Sequence, residues 1–240
     1  MALAIVAAGA CGEPRSRDEL PPARAGGARI DAPERAAAGT PPRAVIATAV
    51  VPLVEVFDDP SASRAAQRLA HPTESGAPLV FLVEREADGW VHVHLPVRPN
   101  GSKGWIEADA VRLDATDYRV VIELGAHRIT VSRGDEVVLQ EAVGVGTRAT
   151  PTPGGDFFIK ELLRPPDPDG PYGPYAYGLS GFSNVLTEFE GGPGVVGIHG
   201  TNDPASLGTD VSHGCIRMSN AGITRLVGVL PLGTPVEILP

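Results

Sequence analysis

The stretch GIHGTNDPASLGTDVSHGCIRMSN, residues 197–220, gathers two of the six histidines of the chain and one of its two cysteines. Cys215 lies there among serine, histidine, glycine and arginine, whereas an inert cysteine normally sits in an apolar run. A cysteine nucleophile needs a base that generates its thiolate and N–H donors that stabilise an oxyanion. Because this stretch can supply both, it predicts a cysteine-dependent acyl-transfer site on the loop before a helix.

Two histidines compete for the role of base. His213 lies two residues before Cys215, and His199 ends the strand-like sequence GVVGI. Spacing alone does not choose between them. The backbone amides of Gly214 and Cys215 are the predicted oxyanion donors, since glycine lets a substrate approach the backbone closely. A zinc site is the alternative, but the three side chains have no fourth ligand and no paired-cysteine spacing. We therefore expect no metal and no cofactor.

The N-terminal sequence indicates export. MALAIVAAGACGEP has an apolar run too short to span a bilayer, and small residues precede Cys11, similar to the cleavage site of bacterial lipoproteins. Residues 1–11 are thus interpreted as an export signal with Cys11 as a lipidation site, the alternative being a plain start. Residues 12–44 are rich in Ala, Pro and Gly, which predicts a disordered linker. The expected location is extracytoplasmic, in the cell envelope, with contact to a membrane only through a lipid anchor.

The remaining chain predicts a mainly β protein. A net charge of -9 without a cluster of Lys and Arg argues against nucleic-acid binding. Residues 45–113 contain closely spaced strands; in WVHVHLP, Val91 and Val93 alternate with His92 and His94, so the valines should face a core and the histidines solvent rather than a metal. Residues 118–240 begin with three further strands. The Pro- and Gly-rich residues 164–181 predict a long loop, and only MSNAGITRLVGVL predicts a helix, capped by Ser219 or Asn220.

These motifs resemble those of a known family. His199-Gly200, followed after a variable loop by Ser212-His213-Gly214-Cys215 and then Arg217, is similar to the signature of the L,D-transpeptidase or YkuD family, and TPTPGGDFFI is similar to a strand of that family. NGSKGWIEADAV in residues 45–113 resembles bacterial SH3-like domains. The resemblance implies a small SH3-like β-barrel followed by a YkuD-type β-sandwich catalytic domain at residues 118–240, with one clear helix after the catalytic loop.

The resemblance also implies a reaction on peptidoglycan stem peptides, which serve as donor and acceptor. Cys215 would attack a tetrapeptide stem at its third residue, release D-Ala and form a thioester, which a neighbouring stem's amine resolves into a 3-3 cross-link. His199 is implied as the base, with His213 shaping the site. Candidate substrate-binding residues of the loop, the base and the predicted lid are Ser212, Arg217, Gly200, Tyr175 and Tyr177.

Three other functions stay open on this sequence. The same thioester attacked by water would make the chain an L,D-carboxypeptidase, and attack by a protein lysine would make it a protein-to-peptidoglycan attachment enzyme. A third alternative is an inactive wall-binding module whose SH3-like unit binds glycan or wall. The intact set of His199, His213 and Cys215 argues against an inactive enzyme.

Overall fold

A computed structural model describes residues 43–189 and 191–240. The predicted export signal, the lipidation site Cys11 and residues 12–42 of the predicted linker lie outside the described residues. No helix among the described residues is long and apolar enough to cross a membrane.

The first part of the described chain is an antiparallel sheet unit. Its seven strands are β1 (Ala44–Ala49), β2 (Leu53–Val56), β3 (Gln67–Ala70), β4 (Val80–Ala87), β5 (Trp90–His94), β6 (Lys103–Glu107) and β7 (Val111–Thr116). Five of them form a sheet in the order β6-β5-β4-β1-β7, and β2 pairs with β3 in a separate hairpin. A short 3-10 turn, Ala108–Ala110, follows β6. The predicted hairpin, tryptophan strand and helical turn are thus present, while the SH3-like barrel stays a prediction.

The alternation predicted for β5 is confirmed. Val91 and Val93 are 1% and 0% exposed and belong to the core of this unit, whereas His92 and His94 are only half-buried. Successive side chains of a strand point to opposite faces, so the two valines lie on the core face of the sheet. His92 contacts the Glu84 carboxylate, which Lys103 also binds.

The second part is built around a larger sheet. Its elements are β8 (Tyr118–Glu123), β9 (Arg128–Arg133), β10 (Glu136–Ala142), β11 (Val145–Gly146), β12 (Gly155–Leu163), β13 (Ala176–Phe182), β14 (Val195–His199), β15 (Asp210–Ser212), β16 (Ile216–Arg217), α1 (Asn220–Val227) and β17 (Pro235–Leu239). Eight strands follow the order β10-β9-β8-β17-β12-β13-β14-β16, and β11 pairs with β15. A second 3-10 turn spans Pro204–Ser206.

The large sheet curls around one hydrophobic core. Val131 from β9 and Ile198 from β14, near opposite ends of the sheet, belong to the same buried cluster, together with Ile223 and Leu226 of the helix. A flat sheet could not bring its two ends to one core, so the strands must wrap around the helix. The fold is mainly β with a single α-helix among the described residues, as predicted.

The predicted helix cap is confirmed. Ser219 has extended backbone angles, and its hydroxyl accepts a hydrogen bond from the Gly222 amide at 2.9 Å. The Glu141 carboxylate in turn accepts from the Ser219 amide and hydroxyl. This cap fixes where the helix starts, and therefore where the preceding Cys215 loop ends.

The two sheet units pack together within residues 39–240 as one compact body. Phe158 of β12 is 0% exposed and clusters with Ile46 of β1 and Val80 of β4. One sequence expectation needs correction nearby. The loop predicted at residues 164–181 is shorter, because Ala176–Phe182 forms strand β13.

Candidate active site

Two short parallel strands bring the predicted nucleophile and base together. β14 pairs with β16 in a register that sets Ile198 opposite Ile216 and His199 opposite Arg217. Cys215 immediately precedes β16, and a Cβ placed on Gly197 would lie 4.0 Å from the Cys215 Sγ. Residues that are distant in sequence therefore meet at neighbouring strand ends.

Cys215 and both candidate bases line one pocket of about 200 Å³. Three larger cavities, of about 280, 570 and 270 Å³, lie elsewhere. We assign the candidate site to the smaller pocket because Cys215 is the one cysteine in the part of the chain that the structure describes. The pocket is lined by Pro171, Tyr172, Phe189, His199, Ser212, His213, Cys215 and Arg217.

His199 is held in one orientation. Its side chain is buried, with 4% of the residue exposed, and its Nδ1 lies 2.6 Å from the Gly200 carbonyl oxygen. Because a carbonyl oxygen can only accept, the Nδ1 must carry the proton in this hydrogen bond. The neutral ring then presents Nε2 as its proton acceptor. The Tyr172 ring packs beside the imidazole, with the ring centroids 4.8 Å apart.

Gly200 serves this orientation through its backbone. A Cβ at Gly200 would lie 2.2 Å from the Asn220 Oδ1, so the site has no room for a larger residue. The same Oδ1 accepts a hydrogen bond from the Thr201 amide at 2.8 Å. The structure shows a backbone role for Gly200 in setting the tautomer of His199, and its substrate-binding role stays a prediction.

Ser212 closes the turn that presents Cys215. The residue is 2% exposed; its hydroxyl donates to the Cys215 carbonyl oxygen at 2.6 Å and accepts from the Gly214 amide at 3.0 Å. The Ser212 carbonyl oxygen accepts from the Thr147 amide and the Thr150 hydroxyl. Ser212 thus forms part of the pocket wall, but its hydroxyl is committed to the loop and not to substrate.

One of the two predicted oxyanion donors, the Gly214 amide, is engaged inside the turn. The Gly214 N–H points at the Ser212 hydroxyl, so it is not aimed at the space where an oxyanion would form. Gly214 has a φ of +118°, a backbone conformation that favours glycine, and the geometry of the turn explains why glycine stands there. The Cys215 amide remains as the predicted donor.

Arg217 carries an unusual polar atom. Its backbone pairs with Gly144 in both directions, at 2.8 and 2.9 Å, which fixes the residue beside the pocket. Its Nε is buried and has no hydrogen-bond partner within residues 43–189 and 191–240. Leaving a buried donor unpaired costs roughly 1–3 kcal/mol, so this atom calls for an explanation, and its residue lines the Cys215 pocket.

The remaining predicted histidine is placed differently from His199. His213 is exposed, and its ring packs on Phe189 with the centroids 5.4 Å apart. It lines the pocket without being enclosed by it. The described residues contain no group of three His, Cys, Asp or Glu side chains that could hold a metal ion.

The structure does not bring the two predicted tyrosines to the pocket. Tyr177 is 1% exposed in β13, and its hydroxyl donates to the Leu226 and Leu230 carbonyl oxygens at 3.2 and 3.4 Å. Burial raises the pKa of this hydroxyl. Tyr175 packs against the main core and lies under the Arg164 guanidinium. Neither side chain lines the Cys215 pocket, whereas a neighbouring tyrosine, Tyr172, does. The substrate-binding role of Tyr175 and Tyr177 stays a prediction that this placement does not support.

Replacing Tyr177 with phenylalanine should lower the free energy of unfolding by about 0.5–1.5 kcal/mol, the net worth of a buried hydrogen bond. Because the hydroxyl faces the end of the helix and not the pocket, KM and kcat should stay at the values of the unmodified chain. Urea unfolding and steady-state kinetics would measure the two effects. A raised KM at unchanged stability would instead place Tyr177 at the substrate.

The sequence analysis missed Phe189 and Pro171. Phe189 reaches the site through a connection between β13 and β14, and Pro171 through the loop before β13, so neither shares a motif with Cys215. Tyr172, Tyr175 and Tyr177 lie close together in the sequence. Tyr177 is buried because it lies in β13, which begins at Ala176, whereas Tyr172 precedes the strand. Position in the sheet, which the local pattern does not encode, decides among the three.

Comparison with known proteins agrees on one family. The sequence model of the YkuD L,D-transpeptidase catalytic domain matches residues 117–238, just over half of the chain. The chain is 37% identical over 127 residues to the YkuD protein of Bacillus licheniformis, covering 53% of this chain and 68% of that protein. It is 38% identical over 121 residues to YkuD of Bacillus subtilis, covering 50% of this chain and 65% of that protein.

Solved L,D-transpeptidases also align with the chain. One from Mycobacterium smegmatis aligns with a TM-score of 0.42 and 20% identity, over 78% of this chain and 99% of that chain. One from Enterococcus faecium aligns with a TM-score of 0.40 and 22% identity, over 51% of this chain and 50% of that chain. The chain therefore spans about two thirds of the Bacillus relatives and half of the Enterococcus chain. Through residues 117–238, it belongs to the L,D-transpeptidase family with the YkuD catalytic domain.

Proposed function

We propose that this chain is a peptidoglycan L,D-transpeptidase that forms 3-3 cross-links between stem peptides through a thioester on Cys215. The observation that carries the proposal is the tautomer of His199, whose Nδ1 is committed to the Gly200 carbonyl oxygen at 2.6 Å in the pocket that contains Cys215. A base whose tautomer makes Nε2 the proton acceptor and a thiol in the same pocket are the minimum that cysteine acyl transfer requires.

In the first half-reaction, the Cys215 thiol gives its proton to the His199 Nε2. The thiolate attacks the carbonyl carbon at the L-centre of the third stem residue, and the Cys215 amide stabilises the oxyanion. The C–N bond to the terminal D-Ala then breaks. D-Ala leaves with the proton held by His199, and the acyl group remains on the sulphur as a thioester.

In the second half-reaction, a side-chain amine of a neighbouring stem attacks the thioester carbonyl. His199 takes the amine proton, the C–S bond breaks, and the Cys215 thiolate recovers a proton. The product contains a new amide between two third residues. No net oxidation or reduction occurs, which agrees with the expectation that the site needs no cofactor.

Arg217 is the proposed contact for a substrate carboxylate. Its buried, unpartnered Nε would gain an acceptor when a stem peptide enters the pocket, and a guanidinium can bind a carboxylate with two parallel hydrogen bonds. The terminal carboxylate of D-Ala is the carboxylate nearest to the bond that is cleaved. Binding it at Arg217 would favour tetrapeptide stems over peptides whose C-terminus is amidated.

The substrate also implies a location. Peptidoglycan stems are cross-linked outside the cytoplasmic membrane, so we propose an extracytoplasmic, cell-envelope site of action, with residues 1–11 directing export. Lipidation at Cys11 and binding of glycan or wall by the first sheet unit belong to the same proposal.

The test is to incubate the purified protein with a disaccharide tetrapeptide and follow the products by mass spectrometry. We expect a cross-linked dimer whose mass equals two monomers minus one D-Ala. Tripeptide monomer alone would make water the acceptor and the chain an L,D-carboxypeptidase. Linkage only to a protein lysine would make it an attachment enzyme, and no product at all would contradict an enzymatic function on stem peptides.

A further inference from the structure

The turn between β5 and β6 of the first sheet unit reaches the second unit through Arg98. Its guanidinium donates three hydrogen bonds to backbone carbonyl oxygens: Nη1 to Ser183 at 2.9 Å, and Nη2 to Leu186 at 3.1 Å and Pro193 at 3.0 Å. A planar guanidinium presents several donors in a fixed arrangement, which suits it to hold separated acceptors at once. Arg98 therefore ties together chain segments that lie on both sides of Phe189.

Asn100 of the same turn makes a second attachment. Its side-chain amide donates to the Phe182 carbonyl oxygen at 2.8 Å, and its Oδ1 accepts from the Phe182 amide at 2.9 Å. The side chain thus pairs with one residue of backbone in both directions, as a neighbouring strand would. The Arg98 guanidinium also lies over the Phe182 ring, 4.9 Å from its centroid. The attachment lies where β13 ends.

The attached segment, residues 183–189 and 191–194, connects β13 to β14; we call it the Phe189 segment. Its two ends meet where the Ser183 amide donates to the Gly194 carbonyl oxygen at 2.8 Å. Nearer its tip, Phe189 and Gly192 exchange backbone hydrogen bonds at 2.9 Å. The three carbonyl oxygens that Arg98 binds all belong to this segment, outside the Phe189–Gly192 pair.

The tip of the Phe189 segment reaches the nucleophile. Phe189, His213 and Cys215 line both the candidate active-site pocket and a second small cavity. The second cavity is completed by residues of the Phe189 segment and its flanks, among them Leu186 and Gly194. Phe189 thus forms part of the wall of both spaces beside Cys215, and its position depends on the segment that Arg98 and Asn100 hold.

We infer that Arg98 and Asn100 are positioning residues that hold the Phe189 segment against His213, so that the first sheet unit sets the width of the pocket at Cys215. The inference rests on the proposed role of Cys215 as the nucleophile. Neither side chain touches the pocket itself, and both act through Phe189. A catalytic unit without this turn would keep Cys215 and His199 but lose the fixed wall of the two cavities.

The test measures the pocket by two independent readouts in the full chain. In Arg98→Ala, the rate of Cys215 alkylation by iodoacetamide should rise several-fold because the Phe189 wall is released. KM for the disaccharide tetrapeptide should rise about tenfold with a smaller change in kcat, since misplacement of a group remote from the chemistry weakens substrate positioning. Phe189→Ala should produce the same two changes.

The double variant separates positioning from a general loss of structure. If Arg98 acts through Phe189, Arg98→Ala in a Phe189→Ala background should add nothing to either readout. Additive effects, or an Arg98→Ala protein that matches the unmodified chain in both readouts, would overturn the inference. Arg98→Lys keeps the charge but lacks the planar, separated donors that reach three carbonyl oxygens at once, so it should give an intermediate effect. It takes the place of the alanine variant if that protein does not fold.

Arg85→Ala is the matched control. Arg85 belongs to the same sheet unit, but its guanidinium lies over Trp105, 4.7 Å from the ring centroid, away from the Phe189 segment. Both readouts should be unchanged in this variant. Alkylation does not depend on the peptide reaction. If only the proposed function fails, Cys215 should still be alkylated faster in Arg98→Ala and Phe189→Ala. If only the positioning inference fails, the protein should still turn over, but the two variants should show no such increase.

Discussion

Replacing Cys215 with alanine should abolish both D-Ala release and dimer formation, lowering turnover by about 10³-fold or more. The proposed reaction passes through a covalent bond to the Cys215 sulphur, and no neighbouring side chain in the pocket can replace that bond. Of the two hydroxyl-bearing side chains that line the pocket, Ser212 is committed to the Cys215 carbonyl oxygen, and Tyr172 packs its ring beside His199. The effect should appear in kcat, with donor binding retained because the pocket wall is otherwise unchanged.

The loss has to be separated from unfolding. Cys215 is only partly buried, so removal of its sulphur should change the urea unfolding midpoint little. Mass spectrometry of the products would give kcat, and isothermal titration with the tetrapeptide would give the affinity for the donor. Residual turnover of the alanine variant at more than a few per cent would assign the nucleophile to another group.

The second large effect concerns the base. His199→Gln should lower turnover by about 10²–10⁴-fold, the usual contribution of a positioned general base. It should also lower the rate of Cys215 alkylation near neutral pH, because less thiolate forms. Glutamine keeps a polar side chain of similar size, so the variant removes the imidazole proton acceptor with limited disturbance of the buried site.

His213→Gln is the matched comparison, since His213 lines the same pocket but is exposed and packs on Phe189. We expect this variant to lose no more than about tenfold in turnover and to keep its alkylation rate, as expected for a group that shapes a pocket without moving the proton. Equal losses in the two variants would mean that the histidines share the proton transfer. A larger loss in His213→Gln would reverse the assignment of the base.

Local sequence patterns predicted many elements of the fold. The alternation in β5 predicted which side chains face the core, and Val91 and Val93 are indeed buried. Ser219 was a predicted helix cap and is one, because a serine hydroxyl bonds the first free amides of a helix within its own few residues. Both features depend on neighbours along the chain.

The site was predictable only in part, for a physical reason that Gly214 and Tyr177 illustrate. Which way the Gly214 amide points depends on a hydroxyl two residues away in a tight turn. Whether a tyrosine faces the pocket or the core depends on the register of β13 against β14 and on packing against the helix, which are non-local. The same holds for Phe189, which a connection between two strands carries to Cys215.

The first sheet unit shows the same limit. Its hairpin and tryptophan strand follow from turn residues and alternation, but part of its contact with the second unit is made by Arg98, a residue in a turn of ordinary composition. Nothing in the sequence pattern indicates that this side chain meets three carbonyl oxygens of another part of the chain. The SH3-like assignment of residues 45–113 and the lipidation of Cys11 stay predictions.

The most direct measurement is the mass of the intact protein after brief incubation with tetrapeptide donor and an acid quench. The account predicts a protein that gains the mass of the donor minus D-Ala, with the added group mapped to the peptide that contains Cys215 and absent from Cys215→Ala. Cross-linked product that forms without any adduct on Cys215, or an adduct on another residue, would contradict the proposed thioester.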